Sequence, residues 1–285
     1  MVPAVTETLF AIGAGDRVVG VSVSCDHPPE AARLPKVGSF VEPVAEAIVA
    51  LAPDLVLTSP TPGNQPAVRA LERTGIRVEV VRSEGGISDV KAAILAVAAA
   101  AAIPEAGREL VDRIDRDLGR VSALSGSAAP PGVAVVVGRE PLVLAGAESY
   151  LGELIEVAGG RNVAAALPGR WPNASYEYLL EAAPDVIVDL TLAMGGADAA
   201  AAAAAWADFP TIPAVRSGRV HPRRDATAAT VLLRPGHRLA DAARMLAGWI
   251  AEPASAAAAQ ESDAGRQPAT SGGPRAKKSD AAATP

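Results

Sequence analysis

The sequence predicts an α/β protein in which two similar lobes are joined by a single long helix. Helical and strand-like segments alternate up to about residue 81 and again from about residue 132, which is the pattern of an open α/β sheet in each half. One helix–turn–strand unit occurs in both halves, as AEAIVALAPDLVL at 45–57 and as YEYLLEAAPDVIVDL at 176–190. An amphipathic helix over 104–124 separates them. The two lobes should therefore share one construction.

The first half contains short helices and strands that end at glycine or proline. We predict helices over 6–12, 44–51 and 67–74, and strands over 17–23, 55–58 and 76–81. Thr6 is the expected cap of the first helix. The helix of the repeated unit stops at Ala52, because a residue before proline is disfavoured in the helical region. The run LVLT that follows is typical of a strand buried in a parallel sheet.

Two helices are predicted between the halves. Ser88 is the expected cap of an alanine-rich helix, and Pro104 suits the first position of a second, longer helix that runs to Leu124. Four apolar residues of the longer helix share one face; they are Leu110, Ile114, Leu118 and Val121. At 1.5 Å per residue this helix is roughly 30 Å long, so we expect it to act as a stiff brace.

The second half repeats the alternation of helices and strands. Strands are predicted over 133–138, in the repeated unit and over 218–222, and helices over 149–158, in the alanine-rich run up to Trp206, and from about Gly236 to Ile250. Beyond Ala251 the composition cannot bury enough surface to fold, so we expect a disordered C-terminal tail. The predicted bounds are two Rossmann-like α/β lobes at 1–84 and 128–251, a linker at 85–127 and the tail at 252–285.

Composition and motifs argue for a binding protein. The net charge of −6 is unlike the basic surface of a nucleic-acid-binding protein, and a single cysteine, Cys25, excludes an internal disulfide. We expect Cys25 to be buried. The three histidines are not at metal-ligand spacing, so no metal site is predicted, and catalytic motifs such as the nucleophile elbow are not found. The rival class, an enzyme or metal-cluster scaffold on the same fold, would need converging Cys, His or acidic ligands.

Aromatic residues make up only 3% of the chain, so their positions are informative. Phe40 lies in a loop before the first copy of the repeated unit, and Trp171 lies in a loop before the second. Two aromatic planes facing each other across a cleft would suit a large flat ligand. The alternative is that each ring covers the core of its own lobe. Trp206 and Trp249 are interpreted as packing residues.

Each copy of the repeated unit also carries a glutamate in the first turn of its helix, Glu46 in the first copy and Glu177 in the second. Both precede the Pro-Asp pair by the same number of residues. On spacing alone, the simpler interpretation is that each carboxylate complements the helix dipole.

Four segments, in the same order, resemble class III periplasmic substrate-binding proteins, which serve ABC importers of cobalamin, ferric siderophores and haem. They are PAVTETLFAIGAGDRVVGVS, CDHPPEAARLPKVGSF, RWPNASYEYLLEAAPDVIV and LLRPGHRLADAARMLA, and the match covers about residues 2–250. The stretches CDHPPEA, VGSF and RWP are most similar to the cobalamin-binding members. The resemblance implies the class III periplasmic-binding-protein fold, ligand binding without covalent chemistry, and no cofactor apart from cobalamin as the transported ligand.

The resemblance also implies roles for individual residues. In the family one glutamate on each lobe docks onto arginines of the two permease subunits, and the matching positions are Glu46 and Glu177. The expected ligand-binding residues are Phe40, Ser59, Tyr150, Trp171 and Asp225. Among them, Trp171 matches a tryptophan that packs on the corrin ring, whereas Ser59 stands where cobalamin binders carry a second tryptophan.

Members of the resembling family also bind ligands other than cobalamin. Haem binders of this group usually carry an axial tyrosine near the position of Ser39, and its absence here disfavours haem. A ferric siderophore is the alternative ligand, with Arg139, Arg170 and Arg224 as candidate contacts. An intracellular corrinoid-binding protein is a further alternative.

The resemblance places the protein in the periplasm or at the cell surface, as a monomer that delivers its ligand to an ABC permease dimer with its ATPase subunits. Family members have an export signal and then a strand before the PAVTE stretch, and this chain opens inside that strand at Met1–Pro3. No export signal is recognised in the chain as given, so an intracellular location stays open. The longest apolar run, 92–103, is too short to span a bilayer.

Overall fold

The computed structural model describes residues 2–125, 129–191, 204–222 and 226–253. The helices are α1 (Pro3–Ala11), α2 (Pro29–Ala32), α3 (Ala45–Ala50), α4 (Gln65–Arg73), α5 (Ile87–Ala100), α6 (Pro104–Ser125), α7 (Tyr150–Val157), α8 (Tyr176–Ala182), α9 (Pro213–Arg216), α10 (Ala226–Leu233) and α11 (Leu239–Ala251). The strands are β1 (Leu55–Thr58), β2 (Arg77–Val80), β3 (Gly132–Arg139), β4 (Leu142–Leu144), β5 (Arg161–Asn162), β6 (Val186–Asp189) and β7 (Val220–Pro222).

The strands form two separate sheets. We call the part with β1 and β2 the first lobe, and the part with β3 to β7 the second lobe. In the first lobe β1 and β2 pair in parallel. In the second lobe the order is β4-β3-β6-β7 with β5 also on β3, and β4 is antiparallel to β3 while the other pairs are parallel. The predicted α/β architecture with two lobes is confirmed.

One hydrophobic core runs from α1 through the central helices to the second sheet. Within it α6 buries the four residues predicted to form its apolar stripe, which are Leu110, Ile114, Leu118 and Val121. The helix has 22 residues and is therefore about 33 Å long. It packs against α5, α7 and α11. Since α5 also contacts α1, the pair of helices α5 and α6 links α1 to the helices of the second lobe.

The two copies of the repeated unit have the same local structure. Helices α3 and α8 are each followed by an alanine with a φ of 45°, Ala52 or Ala183, that directly precedes proline. A positive φ is uncommon for alanine, and here it turns the chain from the helix towards β1 or β6. Ile48 and Leu179 occupy the same position in the two helices, and both are buried. The prediction that the helix of the first copy stops before proline is confirmed.

Several predicted helix ends are wrong. Thr6 and Ser88 lie inside α1 and α5, whose N-caps are Val2 and Gly86. The amide of Ile87 is satisfied across the molecule instead, because it donates to Glu153 Oε2 at 2.8 Å. Since α1 begins at Pro3, the strand expected over Met1–Pro3 does not include Pro3. Similarly, the last helix begins at Leu239 and not at Gly236.

The strand predicted over 17–23 is also wrong. Residues 15–17 form a short 3-10 helix, and a single parallel bridge joins Val21 to Lys36. A cavity of about 330 Å³ lies between residues 18–20 and β1. In the second lobe, the equivalent strand β6 has β3 on one side and β7 on the other. Strand β1 of the first lobe corresponds to β6, and among the described residues of the first lobe no strand corresponds to β3. Segment 17–23 therefore has no neighbouring strand with which to form a longer ladder.

Three residues were predicted to be buried or to pack in the interior, and two further predictions concern residues largely outside the described ranges. Cys25, Trp206 and Trp249 are buried, as expected. The alanine-rich helix predicted before Trp206 falls largely on residues 192–203, and most of the tail falls after 253, so both lie outside the described residues. Across the part of the chain that the structure describes, none of the helices combines the length and apolar character needed to cross a membrane.

Candidate functional site

Trp171 is a large aromatic side chain that the second lobe presents to solvent. It is 38% exposed, and its ring meets the ring of Tyr150 edge to face, with centroids 6.1 Å apart and an interplanar angle of 76°. Tyr150 is the first residue of α7 and is buried. Its hydroxyl donates a hydrogen bond to the Leu232 carbonyl at 2.8 Å. Burial raises the pKa of the Tyr150 hydroxyl, so this group is a neutral donor that supports Trp171 from behind.

The loop that carries Trp171 is held by backbone contacts. The Leu144 amide donates to the Pro172 carbonyl at 3.1 Å, and the Gly146 amide donates to the Arg170 carbonyl at 2.9 Å. A side chain on Gly146 would overlap the carbonyl oxygen of Gly169. The loop can approach β4 this closely because position 146 is glycine. Trp171 is therefore presented on a fixed loop.

The candidate residues of the first lobe lie in two adjoining loops. Ser59 directly follows β1, and its carbonyl accepts a hydrogen bond at 2.7 Å from the buried amide of Asn64. Phe40 is half-buried in the loop before α3. The two loops meet at Gly63, where an added side chain would lie 2.8 Å from the Val41 carbonyl oxygen. The structure thus brings the loop of Phe40 beside the loop that follows Ser59.

Four of the predicted ligand-binding residues lie within the described ranges, two in each lobe. Tyr150 and Trp171 are in contact in the second lobe, and Phe40 and Ser59 belong to neighbouring loops in the first. Asp225 lies outside the described residues. That the four described residues face one common cleft stays a prediction.

Arg139, a candidate siderophore contact, is engaged inside the second lobe. Its guanidinium pairs with Asp189 and lies over the Trp206 ring, 5.6 Å from the ring centroid. Asp189 is buried at the end of β6, where it also accepts hydrogen bonds from Trp206 Nε1 at 2.7 Å and from Thr191 Oγ1 at 2.6 Å. Of the other two candidates, Arg170 is exposed and Arg224 lies outside the described residues.

The cluster around Asp189 was not predicted from the sequence. An aspartate that ends an apolar strand was the available signal, since a buried carboxylate needs several donors. The pairing of Glu7 with Arg234 and Arg238 was not predicted either. No spacing rule links residues this far apart in the chain.

The two candidate docking glutamates occupy equivalent, exposed positions. Glu46 and Glu177 lie in the first turns of α3 and α8. Within the described residues neither carboxylate pairs with a basic side chain. Bonds from its own backbone N–H and from the Ser175 hydroxyl lower the pKa of Glu177. An exposed apolar residue follows each glutamate by one turn, Val49 in α3 and Leu180 in α8.

His237 and His221 both pack against other side chains inside the protein. His237 is largely buried, and burial together with the charge of Arg238 lowers its pKa to about 4. His221 stacks on Trp249, with ring centroids 6.2 Å apart. Across the described ranges no three residues of the His, Cys, Asp and Glu types lie close enough together to hold a metal ion.

Comparison with known proteins gives consistent matches. The family model described as Periplasmic binding protein matches residues 2–222. A vitamin B12-binding protein of Salmonella choleraesuis is 31% identical over 186 residues, which is 65% of this chain and 69% of that protein. A vitamin B12-binding protein of Pectobacterium carotovorum is 26% identical over 190 residues, covering 66% of this chain and 68% of the relative.

Solved structures agree with this fold. The periplasmic heme-binding protein BhuT, in complex with two hemes, matches with a TM-score of 0.72 and 32% identity, over 88% of this chain and 97% of BhuT. The periplasmic vitamin B12-binding protein BtuF of Vibrio cholerae matches with a TM-score of 0.68 and 25% identity, over 88% and 94% of the two chains. These proteins are substrate-binding proteins and not enzymes. The chain belongs to the periplasmic binding protein family, as a class III member that forms the substrate-binding component of an ABC importer.

Proposed function

We propose that this protein captures cobalamin or a related corrinoid in a cleft between its lobes and delivers it to an ABC permease. The observation that carries the proposal is the exposed Trp171, which stands on a fixed loop with Tyr150 behind it. A rigid aromatic wall loses little conformational entropy when it binds a flat ligand, so most of its contact energy is available for affinity. The relatives named as vitamin B12-binding proteins support the same ligand class.

The pocket chemistry expected for a corrinoid is an apolar wall with a few polar groups at its edge. Trp171 and Phe40 supply aromatic surface, and Ser59 supplies a hydroxyl at the end of β1. A serine has far less surface to offer a corrin ring than a tryptophan would. We therefore expect the second lobe to provide most of the ring contact, and the affinity to depend strongly on Trp171.

Haem is the second candidate, and the match to heme-binding BhuT favours it. The buried Tyr150 is poorly suited as an axial ligand, because its hydroxyl already donates to the Leu232 carbonyl and its pKa is raised by burial. A ferric siderophore remains the alternative, with the exposed Arg170 as a contact.

A tryptophan-fluorescence titration tests the ligand. The purified protein is titrated with cobalamin, haemin and a ferric siderophore, and the signals are corrected for absorbance by the ligand. Trp171→Ala should weaken cobalamin binding about tenfold or more, which is ~1.4 kcal/mol. Trp171→Phe keeps an aromatic plane and should retain most of the affinity. Saturable binding of haemin or of the siderophore, without binding of cobalamin, would identify that compound as the ligand. If none of the three changes the fluorescence, capture of these ligands is refuted.

For delivery, we propose that Glu46 and Glu177 dock the protein on two equivalent basic sites of the permease, on the outer face of the cytoplasmic membrane. Equivalent exposure of the two carboxylates in two copies of one unit supports this role. Replacing both by arginine should abolish stimulation of ATP hydrolysis by the reconstituted importer, because like charges would then meet. Ligand affinity should stay unchanged. Glu72→Arg with Asp208→Arg, two exposed acidic positions on the same lobes but outside α3 and α8, is the matched control.

A further inference from the structure

A buried cluster of charged residues joins the two lobes at α1. The Glu7 side chain is 2% exposed and pairs with Arg234 Nη1 and with Arg238 Nη2, each at 2.8 Å. Glu7 belongs to α1 of the first lobe, whereas Arg234 directly follows α10 and Arg238 directly precedes α11 of the second. A buried carboxylate is costly unless it is paired, so this contact holds segment 234–238 against α1.

Arg234 has two further partners in the first lobe. Its Nη1 also donates to Asp26 Oδ1 at 2.6 Å, and its Nη2 donates to the Ser24 carbonyl at 3.1 Å. The hydrogen bond from Arg234 lowers the pKa of Asp26, so this carboxylate stays charged near neutral pH. One guanidinium thus bonds three acceptors from two separate segments. The rigid planar fork of arginine suits it to such a junction.

The same part of the chain supports Trp171. The Tyr150 hydroxyl donates to the carbonyl of Leu232, two residues before Arg234, and the Tyr150 ring meets the ring of Trp171. The Tyr150 amide in turn donates to the Gly85 carbonyl at 2.9 Å. A short path of direct contacts and adjacent residues therefore runs from the exposed indole to α1 of the first lobe.

We propose that Arg234 is a positioning residue that fixes the Trp171 wall relative to the first lobe and thereby sets the width of the cleft. The effect on lobe separation stands without a ligand, whereas the effect on affinity rests on the function proposed above. Truncating Arg234 leaves Glu7 paired with Arg238 but removes the bonds to Asp26 and Ser24. The lobes should then sample a wider range of separations.

The first experiment measures the distance between the lobes in the full chain without ligand. Nitroxide labels are attached at two exposed helical positions, Glu72→Cys on α4 and Glu181→Cys on α8. Cys25 is 1% exposed and should not take up label in the folded protein. Double electron–electron resonance should give a narrow distance distribution in the parent and a broader one with Arg234→Met. An unchanged distribution in a folded Arg234→Met protein overturns the proposal.

Arg244→Met is the matched control. Arg244 lies on α11 and pairs with Asp241 and with Asp117 of α6, so its loss removes the same kind of side chain without touching the contact to α1. Its distance distribution should match that of the parent, and equal broadening in both variants would refute a specific role for Arg234. If Arg234→Met does not fold, Arg234→Gln takes its place, since a neutral amide removes the charge of Arg234 while Glu7 and Arg238 stay paired.

The second experiment connects the contact to ligand binding. With cobalamin or haemin as the probe, Arg234→Met should raise the dissociation rate about tenfold, whereas Arg244→Met should leave it unchanged. Arg234→Lys should restore part of the slow dissociation, because an ammonium group can still pair with one carboxylate. If the parent binds neither probe, the proposed function fails and the distance measurement alone decides the role of Arg234. A wider distance distribution with unchanged dissociation refutes the link to Trp171.

Discussion

His237 should make the stability of this protein depend on pH. The side chain follows Arg234 closely in the chain, is largely buried, and within the described residues its Nδ1 atom has no hydrogen-bond partner. Burial, together with the charges of Arg238, His27 and Arg113, lowers its pKa from 6.5 to about 4, although Asp241 acts in the opposite direction. The folded state therefore holds a neutral imidazole at pH values where the unfolded chain binds a proton.

The sign and size of the effect follow from this difference. Stability is unaffected by His237 well above pH 6.5 and falls as the pH drops from 6.5 towards about 4, because the unfolded state gains a proton that the folded state does not accept. From about pH 7.5 to about pH 5, the free energy of unfolding should fall by about 2 kcal/mol from this group alone. Below the folded pKa both states are protonated and no further loss arises.

Urea unfolding at a series of pH values, followed by circular dichroism, measures this loss. His237→Gln removes the titration and keeps a polar side chain, so its free energy of unfolding should fall by about 2 kcal/mol less than that of the parent between the same two pH values. His221→Gln is the control, and its free energy of unfolding should still show the fall with decreasing pH that His237 causes. Equal pH dependence in the parent and in His237→Gln would show that the burial argument is wrong.

Three further predictions concern packing and caps. Val44→Ser should raise the free energy of unfolding by about 0.5–1 kcal/mol in urea denaturation, because the N-cap of α3 has no side-chain acceptor; a decrease would contradict the cap geometry. Gly146→Ala should weaken ligand-induced quenching, since the added methyl group overlaps the Gly169 carbonyl and displaces the loop of Trp171; unchanged binding would mean that the loop adapts. Trp206→Phe should cost about 1–3 kcal/mol of stability, because Asp189 loses a buried donor; a neutral result in urea denaturation would contradict this.

The elements that could be predicted from the sequence are those whose signals are local. The end of α3 shortly before Pro53 follows from the restriction that proline places on the residue before it, and the buried stripe of α6 follows from helical spacing. The strand expected over 17–23 failed for a different reason. Its apolar residues fit a strand, but a strand forms only when a second strand pairs with it. Between this segment and β1 there is a cavity in place of a pairing strand.

The candidate site likewise has parts with a local sequence signal and parts without one. The position of Trp171 in a loop was readable because the helix and strand patterns on either side are clear, and its exposure agrees with the proposed role. The support from Tyr150 and Leu232, and the pairing of Arg139 with Asp189, depend on residues that are far apart in the chain. Such contacts are fixed by packing in three dimensions, so neither spacing nor propensity could reveal them.

The cavity beside β1 implies that the two lobes differ in the free energy of the local unfolding that exposes their backbone amides to solvent. In the second lobe β6 is bonded along both edges, so its amides should exchange with solvent only through rare, large openings. In the first lobe β1 pairs with β2 on one edge and borders the cavity on the other, so small openings should suffice. Hydrogen exchange should therefore divide the protein into a slow second lobe and a faster first lobe. The half that carries Phe40 and Glu46 would be the one that unfolds first, while the wall around Trp171 stays formed.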